Sequence, residues 1–113
     1  YSMNEAQRSI GEIRMADADP QVIKEQLGAA LRTEISARNL IDMEDGLMFL
    51  FGSAGTKLRK ILIKLNGSDL YEVEVGYVSR GTWQWTVVAQ ESDVHVEDLR
   101  DSVRRLAATG MDA

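Results

Sequence analysis

The stretch from Lys57 to Gln90 constrains this chain more than any other: KLRKILIKL, LYEVEVGYVS and WQWTVVAQ are three β-rich runs divided by the turn signals NGSD and RGT. Apolar runs broken by Gly-bearing turns predict a three-stranded antiparallel meander. Alternation then sets the register. Arg59, Ile61, Ile63 and Leu65 share one face of the first strand, Val73, Val75 and Tyr77 one face of the second, and Trp83, Trp85 and Val87 one face of the third. These apolar sets coincide when each hairpin loop holds an odd number of residues. The loops Gly67-Ser68-Asp69 and Arg80-Gly81-Thr82 satisfy this, placing Ile63 opposite Val73 and Tyr77 opposite Trp85. Trp83 and Trp85 are then core anchors under a helix. A two-residue Arg80-Gly81 turn would instead carry them to the face of Gly76, half-exposed as binding platforms. The opposite face sets Lys60, Leu62 and Lys64 across from Glu72, Glu74 and Gly76, the charge pairing of a solvated face.

The remaining chain supplies helices and a further strand. Asp19 before Pro20 is a helix start, with the carboxylate as cap and proline where no N–H is needed. The helix is expected to run from Pro20 to about Ala37, with Ile23, Leu27, Ala30, Leu31 and Ile35 as its apolar stripe, a Glu34–Arg38 pair on its outer side and Asn39 at its exit. Residues 1–18 are expected to form a weak helix or flexible arm, because Gly11 interrupts the Ala6, Ile10, Ile13 spacing. Leu40 to Phe51 reads as a short extended segment, an acidic turn at Glu44-Asp45-Gly46 and a continuous apolar run. That run, Leu47 to Phe51, is either a strand covered on both faces or an edge strand that meets a partner chain. After a third strand ending at Gln90, Ser92 or Asp93 caps a terminal helix whose stripe is Val96, Leu99, Val103 and Leu106 and which Gly110 ends. The fold class is therefore α+β: an antiparallel sheet of about four strands flanked by two helices, in one domain over residues 19–110.

Chemistry-bearing motifs fail their tests. Gly52-Ser53-Ala54-Gly55-Thr56-Lys57 resembles a phosphate loop only in composition: two residues separate its glycines where four are required, and a strand follows it. The acids Asp42, Glu44 and Asp45 lack the spacing of a calcium loop. His95 is the single histidine, without a nucleophile or relay beside it in the sequence pattern. The chain has no cysteine, which excludes disulfides and thiolate chemistry and fits a cytoplasmic protein. No window approaches the length of a membrane span. A net charge of −5 opposes the uniform positive field of a duplex binder, although Lys57, Arg59, Lys60 and Lys64 form a local basic run.

The run ILIKLNGSDLYEVEVGYVSRG, followed after a strand by SDVHVEDLRDSV, resembles small uncharacterised proteins of bacteriophages and prophages. The resemblance covers roughly Ile61 to Val103. It implies a mobile-element origin and a compact α+β domain, and it attaches no catalytic residues.

The expected function is a non-catalytic protein–protein interaction module, a phage or mobile-element accessory protein that acts on a host protein or self-associates as a homodimer. Its expected contacts are Phe49 and Phe51 on the apolar strand, Arg80, Trp83 and Trp85 on the last hairpin, and Glu97, Asp98 and Asp101 as an acidic surface that mimics nucleic-acid charge. The alternative is single-stranded nucleic-acid binding by an exposed sheet face through Lys57, Arg59, Lys60, Trp83 and Trp85. No catalytic residue, metal ligand or cofactor is expected.

Overall fold

The computed structural model describes residues 16–52 and 57–112. The order is α1 (Pro20–Leu27), α2 (Ala29–Glu34), β1 (Arg38–Met43), β2 (Gly46–Leu50), β3 (Lys57–Leu65), β4 (Tyr71–Ser79), β5 (Trp85–Val94), a 3-10 turn (Val96–Asp98) and α3 (Leu99–Met111). The strands form one antiparallel sheet in the order β1-β2-β3-β4-β5, a meander of five strands where about four were expected. The additional strand is β1. The helix expected to reach Ala37 is split into α1 and α2 at Gly28, which takes φ 80°, ψ 152°, a conformation open to glycine, and it ends at Glu34, ahead of Ser36 at φ 55°. β1 begins at Arg38, just past the expected helix end, and takes in the extended segment expected from Leu40, which pairs with β2. The Asp19 cap is present, its carboxylate accepting from Gln21 N–H at 2.9 Å.

All the helices lie on one side of the sheet. α3 packs against β3, β4 and β5, and α1 packs against β2. Between the layers sit Ile23, Leu27 and Leu31, the sheet residues Leu47, Phe49, Phe51, Ile61, Ile63, Val73 and Val75, and Leu99, Val103 and Leu106. Tyr71 closes one end: it is fully buried, its hydroxyl donates to Gln26 Oε1 and accepts from Asp17 N–H at 3.0 Å. Ala16 also packs on this core, so residues 16–18 are tied to the domain, while the expected arm over residues 1–15 lies outside the described residues. The connection at residues 53–56 lies outside them as well.

The β3–β4 hairpin has the expected register, Ile63 opposite Val73, with Gly67-Ser68-Asp69 as its loop. Asp69, rather than a glycine, takes the left-handed position at φ 60°. The β4–β5 hairpin departs from expectation. Ser79 N–H reaches Gln84 O, so residues 80–83 form the loop, and Trp83 N–H bonds Ser79 O at 2.6 Å. An even-numbered loop exchanges the faces, and Trp85 stands opposite Val78 and not opposite Tyr77. The core register is recovered farther along by a bulge at Val88, since Gly76 faces Val87 while Val75 faces Ala89. A second irregularity near Asp93 (φ 54°) leads to Val94, so Ser92 and Asp93 belong to β5 and do not cap the terminal helix. That helix starts at Leu99, and Gly110 lies buried inside its last turn.

Candidate functional site

Residues directly opposite in a ladder point to the same side of a sheet, so the pairings define the face the helices leave uncovered. One row across it is Ile41, Met48, Leu62, Glu74 and Gln90; the next is Arg38, Leu50, Lys60, Gly76 and Val87; the next is Leu58, Val78 and Trp85. A row toward the other end holds Met43, Gly46, Lys64 and Glu72. This explains the unbroken apolarity of β2. Leu47 and Phe49 enter the core while Met48 and Leu50 point to the open side, half-buried by their neighbours alone. An antiparallel sheet with one wet face normally alternates apolar and polar residues, and β2 does not.

Among the described residues, the large apolar side chains most open to solvent are Trp83 (65 %), Ile41 (49 %), Val87 (45 %), Met111 (43 %) and Trp85 (39 %). Ile41, Trp85 and Val87 belong to the open face, and Trp83 sits in the loop at the end of its β4–β5 hairpin. Trp85 is positioned by what lies beneath it. A Cβ on Gly76 would come within 2.8 Å of the indole Cη2 and 2.1 Å of Thr86 O, so only glycine lets the ring lie flat on β4. Trp83 occupies the left-handed region at φ 60°, rare for a bulky residue. Arg80 is exposed in the same loop.

The expected contact residues divide into separate groups. Phe49 and Phe51 are 1 % exposed core residues, and β2 is hydrogen-bonded to β1 on one side and β3 on the other. A partner-binding role for these phenylalanines through a free strand edge is thereby corrected: the apolar run is an inner strand of the sheet. Glu97, Asp98 and Asp101 are exposed at the start of α3, in the helix layer, and Asp101 pairs with Arg104 at 3.6 Å. They follow the far end of β5, roughly 30 Å from the hairpin loop at about 3.3 Å per residue. They do not share a surface with Trp83 and Trp85.

The basic run is divided too. Arg59 lies on the helix side and donates to Gly110 O at 3.0 Å and Met111 O at 3.4 Å, closing the carboxyl end of α3. Lys57 shares that side, its ammonium 4.5 Å from the centre of the Tyr77 ring. Lys60 and Lys64 are on the open face with Trp85. Glu72, beside them, has its carboxyl held below the usual range by the Asn66 amide at 2.7 Å, then by Ser92 and the Asp93 N–H. On the helix side Arg105 grips Glu91 through two bonds, at 2.8 and 3.0 Å, and holds that carboxyl low as well. Glu34, expected to pair with Arg38, instead meets Arg104 at 2.9 Å, because α2 ends at Glu34.

An open cleft of about 340 Å³ separates the end of α2 from the end of α3, bordered by Ile35, Gly52, Ala107 and Met111, with the Glu34–Arg104 pair on its rim. Among the described residues no three His, Asp or Glu side chains converge as a metal ion would require, and no helix is long and apolar enough to cross a membrane. The residues that sequence reasoning passed over are Ile41, Met48, Leu50, Leu58, Leu62, Val78 and Val87; the failure of β2 to alternate was their signal. Comparison with protein-family models, with curated proteins and with solved structures gives no match to this chain.

Proposed function

We propose that this chain is a non-catalytic protein-interaction module whose working surface is the open face of the sheet together with the tryptophan-bearing β4–β5 hairpin. The observation that carries this reading is the concentration of exposed apolar side chains there: Ile41, Trp85 and Val87 on one uncovered face, with Trp83 at its end. These stand at the two edges of the face, with the half-buried Met48, Leu50, Leu58, Leu62 and Val78 between them, and exposed apolar surface of this kind marks a docking surface. Exposed tryptophan beside Arg80 is the residue chemistry of interface anchors. An accessory role in a mobile element, which the resemblance of Ile61 to Val103 implies, is part of the same proposal.

Binding of single-stranded nucleic acid is the second reading, favoured by Lys60, Lys64 and Trp85 sharing the open face. Glu72 and Glu74 on the same face offset those lysines, and Lys57 and Arg59 point away from it.

A pull-down with the tagged chain, with and without nuclease, separates the readings. The expected result is protein that survives nuclease and is lost when Trp85→Ser and Val87→Lys are introduced together. Partners that persist in that double variant but vanish with Glu97→Lys, Asp98→Lys and Asp101→Lys would move the surface to α3. Retention that depends on nucleic acid, with quenching of tryptophan fluorescence by an oligonucleotide at low salt, would replace the protein-binding reading with the second one.

A further inference from the structure

We infer that the occupant of the open face is a second copy of this chain, packed sheet on sheet about a two-fold axis that runs parallel to the strands between β3 and β4. The inference rests on the protein-binding reading above and names the partner.

The charge arrangement carries it. The chain has a net charge of −5, so two copies repel unless they meet where the charge is balanced. On the inner strands of the open face Lys60 and Lys64 of β3 are matched by Glu72 and Glu74 of β4, two positive against two negative, which leaves the −5 on other surfaces. The order of these residues is also self-complementary. A two-fold axis between β3 and β4 lays each of those strands over the other strand of the second copy while keeping every row in place. Lys64 and Glu72 are direct register partners, so Lys64 of one copy then lies over Glu72 of the other, and the same contact is made twice. In the remaining rows Leu58 meets Val78, Leu50, on β2, meets Val87, on β5, and in the row between Lys60 and Lys64 the Leu62 side chain meets Glu74 and Met48 meets Gln90. Lys60 lies over Gly76, where no side chain obstructs it, one row from Glu74.

The dimensions agree. Strand spacing of about 4.8 Å and same-face spacing of about 6.7 Å give the four rows of the overlapping strands β2 to β5 a projected area on the order of 500 Å². Side-chain relief brings that toward the roughly 800 Å² per partner of a standard interface. Packed sheets lie about 10 Å apart, which the half-buried leucines and valines fill from both sides.

Sedimentation equilibrium of the full chain over micromolar to millimolar concentration tests this. The expected mass is twice that of the chain. Lys60→Glu with Lys64→Glu makes the inner face wholly acidic, and Glu74→Lys makes it basic; Glu72 is left in place because Asn66 and Asp93 hold it. Each variant alone is expected to dissociate at least tenfold more readily than the wild type, and an equimolar mixture of the two is expected to form a mixed dimer, which also shows that both remain folded. A wild-type chain that stays monomeric throughout, or reversal variants that dimerise unchanged, would overturn the inference. If the wild type is monomeric while its pull-down partners still depend on Trp85 and Val87, self-association falls and the protein-binding reading stands; if those partners are also indifferent to Trp85 and Val87, both fall.

Discussion

At the scale of single residues, Trp83 and Gly76 pull in opposite directions. A tryptophan at φ 60° that is 65 % exposed combines backbone strain with an unburied apolar ring, and strain of this kind costs on the order of 1 kcal/mol or more. The Trp83 N–H to Ser79 O bond holds the backbone there, but the ring itself stays exposed, which fits a side chain kept for a partner. Trp83→Gly is accordingly expected to leave the domain as stable or up to about 1 kcal/mol more stable, as read by the urea midpoint, while weakening capture of the partner. A clear loss of stability would show that the ring contributes to the fold. Gly76→Ala should do the reverse. Its Cβ collides with Thr86 O, so the hairpin must open and Trp85 must leave its seat; a loss of about 1–3 kcal/mol and a red-shifted tryptophan emission are expected.

Among the elements, α3 shows how local sequence and tertiary contact share one task. Its buried stripe, Leu99, Val103 and Leu106, was legible from spacing alone. Its carboxyl end was not, because the cap comes from Arg59 on β3, 51 residues away, through Gly110 O. Arg59→Ala is expected to cost about 1 kcal/mol and to speed amide exchange in the last turn of α3 while its first turns keep their protection. Uniform acceleration along the helix would assign Arg59 to packing instead. The helix expected over Pro20 to Ala37 failed for a comparable reason. Ile23, Leu27 and Leu31 keep helical spacing across Gly28 and all reach the core, so periodicity gave no sign of the break between α1 and α2.

For the whole molecule, pH reports on the contacts that join its parts. Glu91 and Glu72 both have folded-state pKa values below their ordinary ones, the first through Arg105 and the second through Asn66. Above about 4.3, the ordinary glutamate value, both are ionised whether the chain is folded or not, and their stabilisation is complete. As pH falls through the depressed folded values that stabilisation is lost, so the urea midpoint should drop as the solution is acidified below the ordinary glutamate value, and Glu91→Gln should flatten part of the drop. Tyr71 acts at the other extreme. Burial raises its pKa above the ordinary 10.0, so the folded state disfavours its ionised form and stability should decline as pH climbs past that value. A Tyr71→Phe variant should decline less.

The α+β class, the antiparallel β3–β4 pairing with its loop, the Asp19 cap and the core stripe of α3 could all be read from residue order. Each of these depends on side chains a few residues apart, whose chemistry needs no distant partner. Which side of the sheet each residue near the hairpin occupies depends on long-range pairing. An even-numbered loop at residues 80–83 and a bulge at Val88 reverse the faces and then restore them, so the apolar alternation of β5 fits either arrangement until β4 is laid beside it. That decision moved Trp85 from the expected core to the open face, and the pairing of β2 on both sides moved Phe49 and Phe51 from an expected partner surface into the core. Alternation along a strand records that two faces differ; the layer of helices packed on the sheet determines which face remains open to a partner.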